Sequence, residues 1–253
     1  MTTFHQVLPA NKNGRDFVVG DLHGCLDLLD EQLDRQHFDT QRDRLFSVGD
    51  LADRGPNSLG CLRLLRQPWF YAVVGNHEDM LLSHFFLRGS DYHRPSDFSR
   101  NGGDWVKQLN SDEQQELRDE LLPLVLALPY VITVKDAHSV FHVVHAELTI
   151  ADDQLSEGGL SSMATTLTWS RRLIREVRSD TWSTRQMPDG PLAISHQPWD
   201  PGKALRFVGH TPLPKMVMHR SHLFIDGGAF LRKDGACLRV TKVATAQAWF
   251  DEL

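Results

Sequence analysis

The sequence predicts an α/β protein with two mostly mixed β-sheets that pack face to face, helices on the outside and a helical insertion. Three observations predict this class. Short apolar runs alternate with helix-periodic segments over residues 17–87, which is the pattern of a parallel sheet with right-handed crossovers. Strand-like runs return after residue 130, where the first connection is short enough for an antiparallel hairpin. Two stacked sheets with outer helices are the simplest way to bury both halves.

The first third of the chain predicts three strand–helix units. The strand segments are short and apolar, and the first two helix segments repeat leucine at helical spacing. The predicted strands are 17–19, 44–48 and 71–74, and the predicted helices are 25–36, 58–66 and 78–87. Residues 1–15 predict a loose lead-in, because the sequence NKNG at 11–14 is typical of a turn.

A change of pattern after Gly89 predicts an insertion. Residues 90–128 begin polar and turn-rich and continue helical, so we expect a mostly helical cap within a single domain that spans 1–253. The charged run at 112–116 is expected to be the solvated face of this cap. The remaining predicted elements are strands at 130–134, 140–144, 205–208, 223–225 and 237–243, a helix at 167–178 and an irregular, proline-rich loop at 179–204.

The composition is that of a globular protein. The chain has 253 residues, of which 41% are hydrophobic and 24% charged, and this length allows a sizeable core. A formal net charge of −6 argues against stable binding to nucleic acid or to an anionic membrane. The three cysteines have no paired spacing and indicate free thiols in a reducing compartment. Because the N-terminus lacks an apolar signal segment and no run of about 18 apolar residues occurs, we expect a cytoplasmic protein.

Three polar motifs each follow a predicted strand: GDLHG at 20–24, GDLADRG at 49–55 and GNHE at 75–78. The carboxyl ends of strands are the usual place for a site in an α/β sheet. These motifs and two later strand ends supply oxygen and imidazole donors, which suit manganese, iron or zinc better than calcium. The donors are Asp21, His23, Asp50, Asn76, His145 and His210. Six such side chains are enough for two divalent ions that share Asp50, which together could clamp a phosphate and hold an attacking hydroxide.

The same motifs contain side chains suited to acid catalysis and to phosphate binding. His77 directly follows Asn76, so it can lie beside the metals without binding them. Asp53 could accept a hydrogen bond from one ring nitrogen of His77 and fix its tautomer, and His77 would then protonate the departing alkoxide. Arg54 offers a planar fork for phosphate oxygens.

Taken together, the three motifs resemble the phosphoprotein phosphatase branch of the metallophosphoesterases, whose patterns are GDxHG, GDxxDRG and GNHE. Further segments resemble the bacterial and phage subgroup typified by the lambda-phage protein phosphatase. These segments are NGGDW at 101–105, VHAE at 144–147, LTWSR at 167–171, VGHT at 208–211 and IDGGA at 225–229. The resemblance covers about residues 16–245 and implies a four-layer αββα, calcineurin-like fold.

The resemblance also implies a role for each site residue. One metal is held by Asp21, His23 and Asp50, and the second by Asp50, Asn76, His145 and His210. The general acid is His77, assisted by Asp53. The substrate phosphate is bound by Arg54, Arg171 and Asn76, with Arg172 as the alternative to Arg171. The resemblance further implies two divalent metal ions, and manganese is expected because family members are usually most active with it, with iron or zinc as alternatives.

The leading functional prediction is a metal-dependent protein phosphatase that hydrolyses phosphoserine and phosphothreonine, with phosphotyrosine as a further candidate. In this prediction a hydroxide held by two metals attacks the phosphate directly. The alternative is a bis(5′-nucleosyl)-tetraphosphatase, or another nucleotide or RNA phosphoesterase of the same fold. The tetraphosphatases tend to lack the acid that Asp53 provides here. A remote alternative is a non-catalytic metal-bound scaffold, which should have lost a metal ligand or the acid, and this sequence retains all of them.

Overall fold

The computed structural model describes residues 3–86, 95–137, 139–179, 182–187 and 190–253, and two β-sheets form the centre of this part. Its strands are β1 (His5–Pro9), β2 (Asp16–Val19), β3 (Arg44–Ser47), β4 (Phe70–Ala72), β5 (Val131–Lys135), β6 (Val140–Val144), β7 (Trp182–Met187), β8 (Gly190–Ser195), β9 (Leu205–Val208), β10 (Met216–His219), β11 (His222–Phe224) and β12 (Val240–Lys242). The small sheet has the order β12-β2-β3-β4, and the large sheet has the order β1-β5-β6-β9-β11-β10-β8-β7.

The small sheet contains the three strand–helix units that the first third of the sequence predicts. Strands β2, β3 and β4 are parallel, and β12 closes one edge antiparallel to β2. The helices that follow these strands are α1 (Leu26–Arg35), α2 (Ser58–Arg63), which continues as a 3-10 turn over Leu64–Arg66, and α3 (Asn76–Phe86). Because parallel strands end at the same edge, the three polar motifs meet at one edge of this sheet.

The large sheet mixes both strand directions, as the predicted fold class requires. The hairpin predicted between β5 and β6 is antiparallel, although His138 in its turn lies outside the described residues. The pair β10·β11 is antiparallel as well, whereas β6 pairs with β9 and β9 with β11 in parallel. The parallel pairing of β6 with β9 brings their carboxyl ends together, which matters because His145 and His210 follow these two strands.

The sheets form the two inner layers of a four-layer αββα sandwich, which confirms the predicted fold. Alternate residues of one strand point to opposite faces, so Phe46 packs between the sheets, with its ring 5.8 Å from that of Phe141, while Leu45 faces α1–α3. The outer face of the large sheet packs against α7 (Glu157–Ser161), α8 (Ala164–Trp169) and α9 (Arg172–Ser179). Within the described ranges, every helix is too short or too polar to cross a membrane.

The described part of the segment 90–128 is largely helical, as predicted. It consists of α4 (Pro95–Arg100), a 3-10 turn (Gly103–Gln108), α5 (Ser111–Glu116), a π-helical stretch (Leu117–Leu121) and α6 (Leu122–Leu126), and residues 90–94 lie outside the described residues. The expectation of a fully solvated charge run is wrong at its last residue. Glu116 forms ion pairs with Arg63 at 2.6 Å and with Arg66 at 2.7 Å, so it attaches this segment to α2.

Three segments differ from the sequence prediction. The lead-in 1–15 contains β1, which pairs in parallel with β5 at one edge of the large sheet. The stretch 179–204 is not an irregular loop throughout, because β7 and β8 form an antiparallel hairpin there. The predicted helix 167–178 is two helices, α8 and α9, interrupted after Trp169. In the first two segments, pairing with strands elsewhere in the sheet outweighs the local turn signals.

The C-terminal region also contains elements that the sequence pattern did not reveal. Strand β10 lies between β11 and β8. The predicted strand 237–243 is confined to β12, and the chain then enters helix α10 (Val243–Asp251) without a turn. The buried side chains of α10 are Val243, Ala246 and Trp249, which recur at helical spacing.

A row of buried polar side chains crosses the outer face of the large sheet, and we call it the polar row. Its members occupy directly opposed positions on five neighbouring strands, from β5 through β6, β9 and β11 to β10. The members are Thr133, His142, Arg206, His222 and His219, and each is at most 4% exposed. Of these opposed pairs, Thr133 and His142 hydrogen-bond to each other at 2.8 Å. Other members are satisfied by groups outside the row, such as Asp152 for Arg206 and the carbonyl of Arg220 for His222.

Candidate metal centre

The six predicted metal donors lie together where strands of both sheets end. Asp21 follows β2, Asp50 follows β3 and Asn76 begins α3 after β4. From the large sheet, His145 follows β6 and His210 follows β9. With His23 they form a buried group in which no residue is more than 5% exposed.

Asp50 lies between two sets of donors. Its Oδ2 is 3.5 Å from Nε2 of His23, and its Oδ1 is 3.5 Å from Nε2 of His145. Two groups of potential ligand atoms that include Asp50 each fall within 4.8 Å, namely His23, Asp50 and His77, and Asp21, Asp50 and His145. This is the arrangement expected of a carboxylate shared by two cations.

The donors from Asn76, His145 and His210 converge on one point without a proton between them. Nδ1 of His145 donates to the carbonyl of Val48 at 2.7 Å, and Nε2 of His210 donates to the carbonyl of Trp169 at 3.2 Å. The opposite ring nitrogens therefore carry lone pairs, yet they lie 3.1 Å apart and 2.9 and 2.8 Å from Oδ1 of Asn76. Three electron-pair donors that face one another in a buried site fit a cation.

His23 presents a lone pair in the same way. Its Nδ1 donates to the carbonyl of Ala52 at 3.0 Å, which leaves Nε2 as the acceptor facing the centre. Oδ2 of Asp50 is 3.5 Å and Oδ2 of Asp21 is 4.0 Å from this nitrogen. A guanidinium nitrogen of Arg54 donates to it at 2.9 Å, so a positive charge already faces this half of the centre.

Several buried carboxylates lie close together at the centre, and their mutual repulsion favours the binding of positive charge. Burial raises the pKa of Asp21 well above its usual range, and the neighbouring charges of Asp226 and Asp50 raise it further. Burial likewise raises the pKa of Glu78 to about 7 and that of Asp226 to about 6. Bound divalent cations would relieve this repulsion and keep the carboxylates ionised.

The imidazoles of the centre are neutral near pH 7, as metal binding requires. Burial lowers the pKa of His23 to about 3, and it lowers the pKa of His145 and of His210 as well. Burial alone would raise the pKa of Asp50, but the surrounding histidines outweigh this effect and hold it below its usual range. The donor set of neutral imidazoles, carboxylates and one amide therefore fits divalent metals such as manganese, iron or zinc.

Five residues of the site adopt positive φ angles, which are uncommon outside glycine. The values are 42° for His23, 52° for Asp50, 71° for Asp53, 68° for Arg54 and 68° for His210. A left-handed conformation costs roughly 1–2 kcal/mol for such residues. The strand-end turns therefore store strain while they aim these side chains at the centre.

Glu78 holds the loops after β3 and β4 together, a role that the motif GNHE alone did not reveal. Its carboxylate is fully buried and accepts three backbone N–H groups, from Asp50 at 2.8 Å, Leu51 at 2.8 Å and Gly75 at 2.9 Å. A Cβ on Gly75 would collide with Oδ1 of Asp50, so only glycine allows this close approach.

His77 and Asp53 form a buried pair beside the donors, in the contact that the sequence predicts. Nδ1 of His77 donates to Oδ2 of Asp53 at 2.6 Å. Nε2 of His77 has no hydrogen-bond partner among the described residues and lies 3.9 Å from Oδ2 of Asp50. A ring nitrogen of fixed tautomer, unpartnered and directed at the centre, can serve either as a proton donor or as a further metal donor.

Two arginines lie above the buried donors. Arg54 is exposed and its guanidinium stacks on the ring of Phe230 at 4.6 Å. Arg171 is exposed as well, and its Nη2 donates to the carbonyl of His210 at 3.4 Å. Arg172 contacts Ser170 through its backbone N–H at 3.3 Å. The side chain of Arg171 thus reaches the backbone of a predicted metal ligand.

Glu147 fixes the interruption between α8 and α9, and the sequence pattern assigned it no role. The side chain is 1% exposed. It accepts the hydroxyl of Ser170 at 2.7 Å and the backbone N–H of Leu173 at 2.7 Å. These two contacts flank Arg171, so a carboxylate two residues beyond His145 determines where this arginine stands. Its place in the segment VHAE, two residues after a predicted ligand, is the one signal that could have indicated it.

Comparison with known proteins agrees with this geometry. The calcineurin-like phosphoesterase family matches residues 17–230. A serine/threonine-protein phosphatase 1 from Salmonella typhimurium is 35% identical over 219 residues, which are 86% of this chain and 88% of that protein. A symmetrical bis(5′-nucleosyl)-tetraphosphatase from Glaesserella parasuis is 45% identical over 83 residues, which are 32% of this chain and 30% of that protein. A solved structure provisionally named a diadenosine tetraphosphatase shares the fold, with a TM-score of 0.57, 22% identity and coverage of 95% of this chain and 98% of that chain.

The fold and the donor cluster thus define a metal-binding phosphoester hydrolase. The chain belongs to the calcineurin-like phosphoesterase family, and its match to protein phosphatases over nearly their full length places it in the phosphoprotein phosphatase branch.

Proposed function

We propose that this chain is a metal-dependent protein phosphatase that hydrolyses phosphoserine and phosphothreonine, with phosphotyrosine as a further substrate. The substrate class is supported by the extent of the similarity. The serine/threonine phosphatase from Salmonella typhimurium aligns over 88% of its length, whereas the tetraphosphatase from Glaesserella parasuis aligns over 30% of its length. The similarity to the protein phosphatase thus extends well beyond the shared motifs, which supports a phosphoprotein substrate.

The donor cluster fits two divalent cations, and we propose manganese. Asp21, His23 and Asp50 would hold one cation, and Asp50, Asn76, His145 and His210 would hold the other. When bound, such cations offset the charge of the phosphate and make water more acidic and hence a better nucleophile. The convergence of unprotonated nitrogens on Asn76 is the observation that supports the second of these sites.

The chain's own residues supply substrate binding and proton transfer. Arg54 and Arg171 bind the phosphate oxygens through their planar guanidinium groups. Asn76, whose amide adjoins the second cation site, is a further contact for the phosphate. Nε2 of His77 donates a proton to the leaving serine or threonine oxygen, while Asp53 holds the ring by its Nδ1–H. The buried Asp53–His77 pair is the single observation that carries this mechanism.

The second candidate is hydrolysis of a dinucleoside tetraphosphate. The match to the symmetrical tetraphosphatase over 83 residues favours it. Both candidates use the same metal and phosphate sites, so only the group that leaves distinguishes them.

We also propose a cytoplasmic location. Cys25, Cys61 and Cys237 are free thiols, and free thiols are typical of reducing compartments.

A substrate panel tests the proposal. The protein is assayed with added manganese on a phosphoserine peptide, on para-nitrophenyl phosphate and on diadenosine tetraphosphate. We expect the phosphopeptide to have a kcat/KM at least about 10-fold above that of the dinucleotide. In the variant His77→Asn, kcat for the phosphopeptide should fall by about 10²–10⁴-fold, the range that general-acid catalysis supplies.

The variant His37→Asn is the matched control. His37 is exposed and also has a positive φ, of 48°, which asparagine tolerates, and its turnover should equal that of the parent. A higher kcat/KM for diadenosine tetraphosphate than for the phosphopeptide would assign the chain to the nucleotide hydrolases. Unchanged phosphopeptide turnover in His77→Asn would remove His77 from the mechanism.

A further inference from the structure

Trp105 reaches from the helical segment into the catalytic loop. It belongs to the 3-10 turn Gly103–Gln108, and its indole N–H donates to Oδ1 of Asp53 at 2.7 Å. The two residues are 52 positions apart in the chain. The ring is half-buried and packs against the apolar cluster between the small sheet and its helices.

The indole completes the hydrogen bonding of a fully buried carboxylate. One oxygen of Asp53 accepts Nδ1–H of His77 at 2.6 Å and the other accepts the indole N–H, while the backbone N–H of Asp53 donates to Ser58 at 2.9 Å. With one donor on each oxygen, the plane of the carboxylate is fixed. Without the indole, Oδ1 would be left buried and unpaired, a costly state that the carboxylate could escape by rotating away from His77.

The backbone beside Trp105 also fits against the catalytic loop. The N–H of Arg54 points to the carbonyl of Gly102 at 3.5 Å. Gly102 has a φ of 96°, and a Cβ there would lie 2.6 Å from the backbone nitrogen of Arg54. Only glycine permits this approach, so the segment NGGDW is shaped to contact Asp53 and Arg54 together.

We propose that Trp105 is a positioning residue for acid catalysis: its indole N–H orients the Asp53 carboxylate, which in turn aims Nε2 of His77 at the leaving oxygen. The inference rests on the proposed function, because that proposal gives His77 the role of acid. In this proposal Trp105 contacts neither the substrate nor the metals. It acts through Asp53 alone.

The variant Trp105→Phe tests the proposal, since it removes the N–H and keeps the aromatic ring. A serine alkoxide needs protonation to leave, whereas para-nitrophenolate is a stable anion that does not. With added manganese, we expect kcat for a phosphoserine peptide to fall about 10-fold and kcat for para-nitrophenyl phosphate to fall less than about 3-fold, with KM unchanged. A packing defect would lower both rates alike, and retained nitrophenyl phosphate turnover shows that the variant is folded.

Trp69→Phe is the matched control, because Trp69 is likewise half-buried against the same apolar cluster. This control variant should leave the ratio of the two rates unchanged.

In an Asp53→Ala background, Trp105→Phe should change phosphopeptide turnover less than about 2-fold, because the carboxylate through which Trp105 acts is already absent. An equal loss on both substrates, or a full further loss in the Asp53→Ala background, would overturn the proposal. If His77→Asn also shows no preference between the substrates, the acid role of His77 fails, and with it the mechanism under the proposed function.

Discussion

The two sheets supply the centre in different ways. In the small sheet, Asp21, Asp50 and Asn76 come from three successive strand–helix units, so each lies close in sequence to the turn that aims it. In the large sheet, His145 and His210 follow adjacent strands but are 65 residues apart. Their approach depends on the register of β6 against β9 and on the elements that fix this register.

The two sheets also differ in how far their residues take part in the proposed reaction or hold the structure. The turns of the small sheet carry four of the five strained backbone angles, the shared carboxylate and the acid pair. The large sheet adds two histidines, and most of its other buried polar groups hold structure: Glu147 holds the junction of α8 and α9, and the polar row crosses the outer face. Substitutions at the edge where the two sheets meet should therefore lower catalytic activity most. Substitutions along the polar row should lower the stability of the fold and leave activity largely unchanged.

Asp50→Asn should have the largest effect, because Asp50 contacts a histidine donor from each sheet. Loss of its charge removes a ligand from both proposed cation sites. We expect kcat for para-nitrophenyl phosphate to fall by about 10³-fold or more and the manganese content, measured by elemental analysis, to fall with it. Asp34→Asn, an exposed change on α1, is the control. Full metal content and full turnover in Asp50→Asn would remove Asp50 from the centre.

The same contrast explains what the sequence could and could not predict. The motif residues of the small sheet follow their strands directly, so local apolar runs are enough to place Asp21, Asp50 and His77 at one edge. Strand β1 was missed because its partner β5 lies far along the chain, so pairing rather than local pattern decides its conformation.

The contacts that tune the site are long-range as well. The bond from Trp105 to Asp53 spans 52 residues, and Glu147 acts on a helix junction that periodicity predicted to be continuous. Such contacts follow from how helices dock on sheets, which one sequence does not reveal.

Glu147→Gln should have an intermediate effect and should separate support from chemistry within the large sheet. The amide can still accept one hydrogen bond but loses the charge that faces the first turn of α9. Arg171 should then be less well placed, so we expect kcat/KM for the phosphopeptide to fall about 10-fold with metal content unchanged. Glu120→Gln, a change at an exposed carboxylate, is the control. Loss of metal in Glu147→Gln would instead show that this residue supports His145. Glu147 would then belong with the residues that build the metal centre.

Asp152→Asn should change stability with the least effect on catalysis. Asp152 forms an ion pair with the fully buried Arg206 of the polar row, and its Oδ2 accepts the N–H of Ala204 at 2.8 Å. Removing the charge leaves the guanidinium buried without its partner, so we expect the free energy of unfolding at pH 7 to fall by about 2 kcal/mol. Chemical denaturation measures this change, and kcat of the folded variant should match the parent within about 2-fold.

The pH dependence of that loss identifies the ion pair as its cause. Burial alone would raise the pKa of Asp152, but hydrogen bonds from His142 and from the Ala204 amide, together with the charge of Arg206, bring it from 3.8 down to about 2. Because the folded value lies below the unfolded one, the ionised carboxylate stabilises the fold above about pH 4, and this contribution disappears as the pH falls through about 2. The stability difference between parent and Asp152→Asn should therefore be constant from pH 7 to 5 and shrink below pH 4, whereas Asp234→Asn, at an exposed position, should show no difference at any pH. A stability difference that persists undiminished at pH 3 would mean that Asp152 acts through its shape and not through its charge. The ion pair with Arg206 would then not be what stabilises this part of the large sheet.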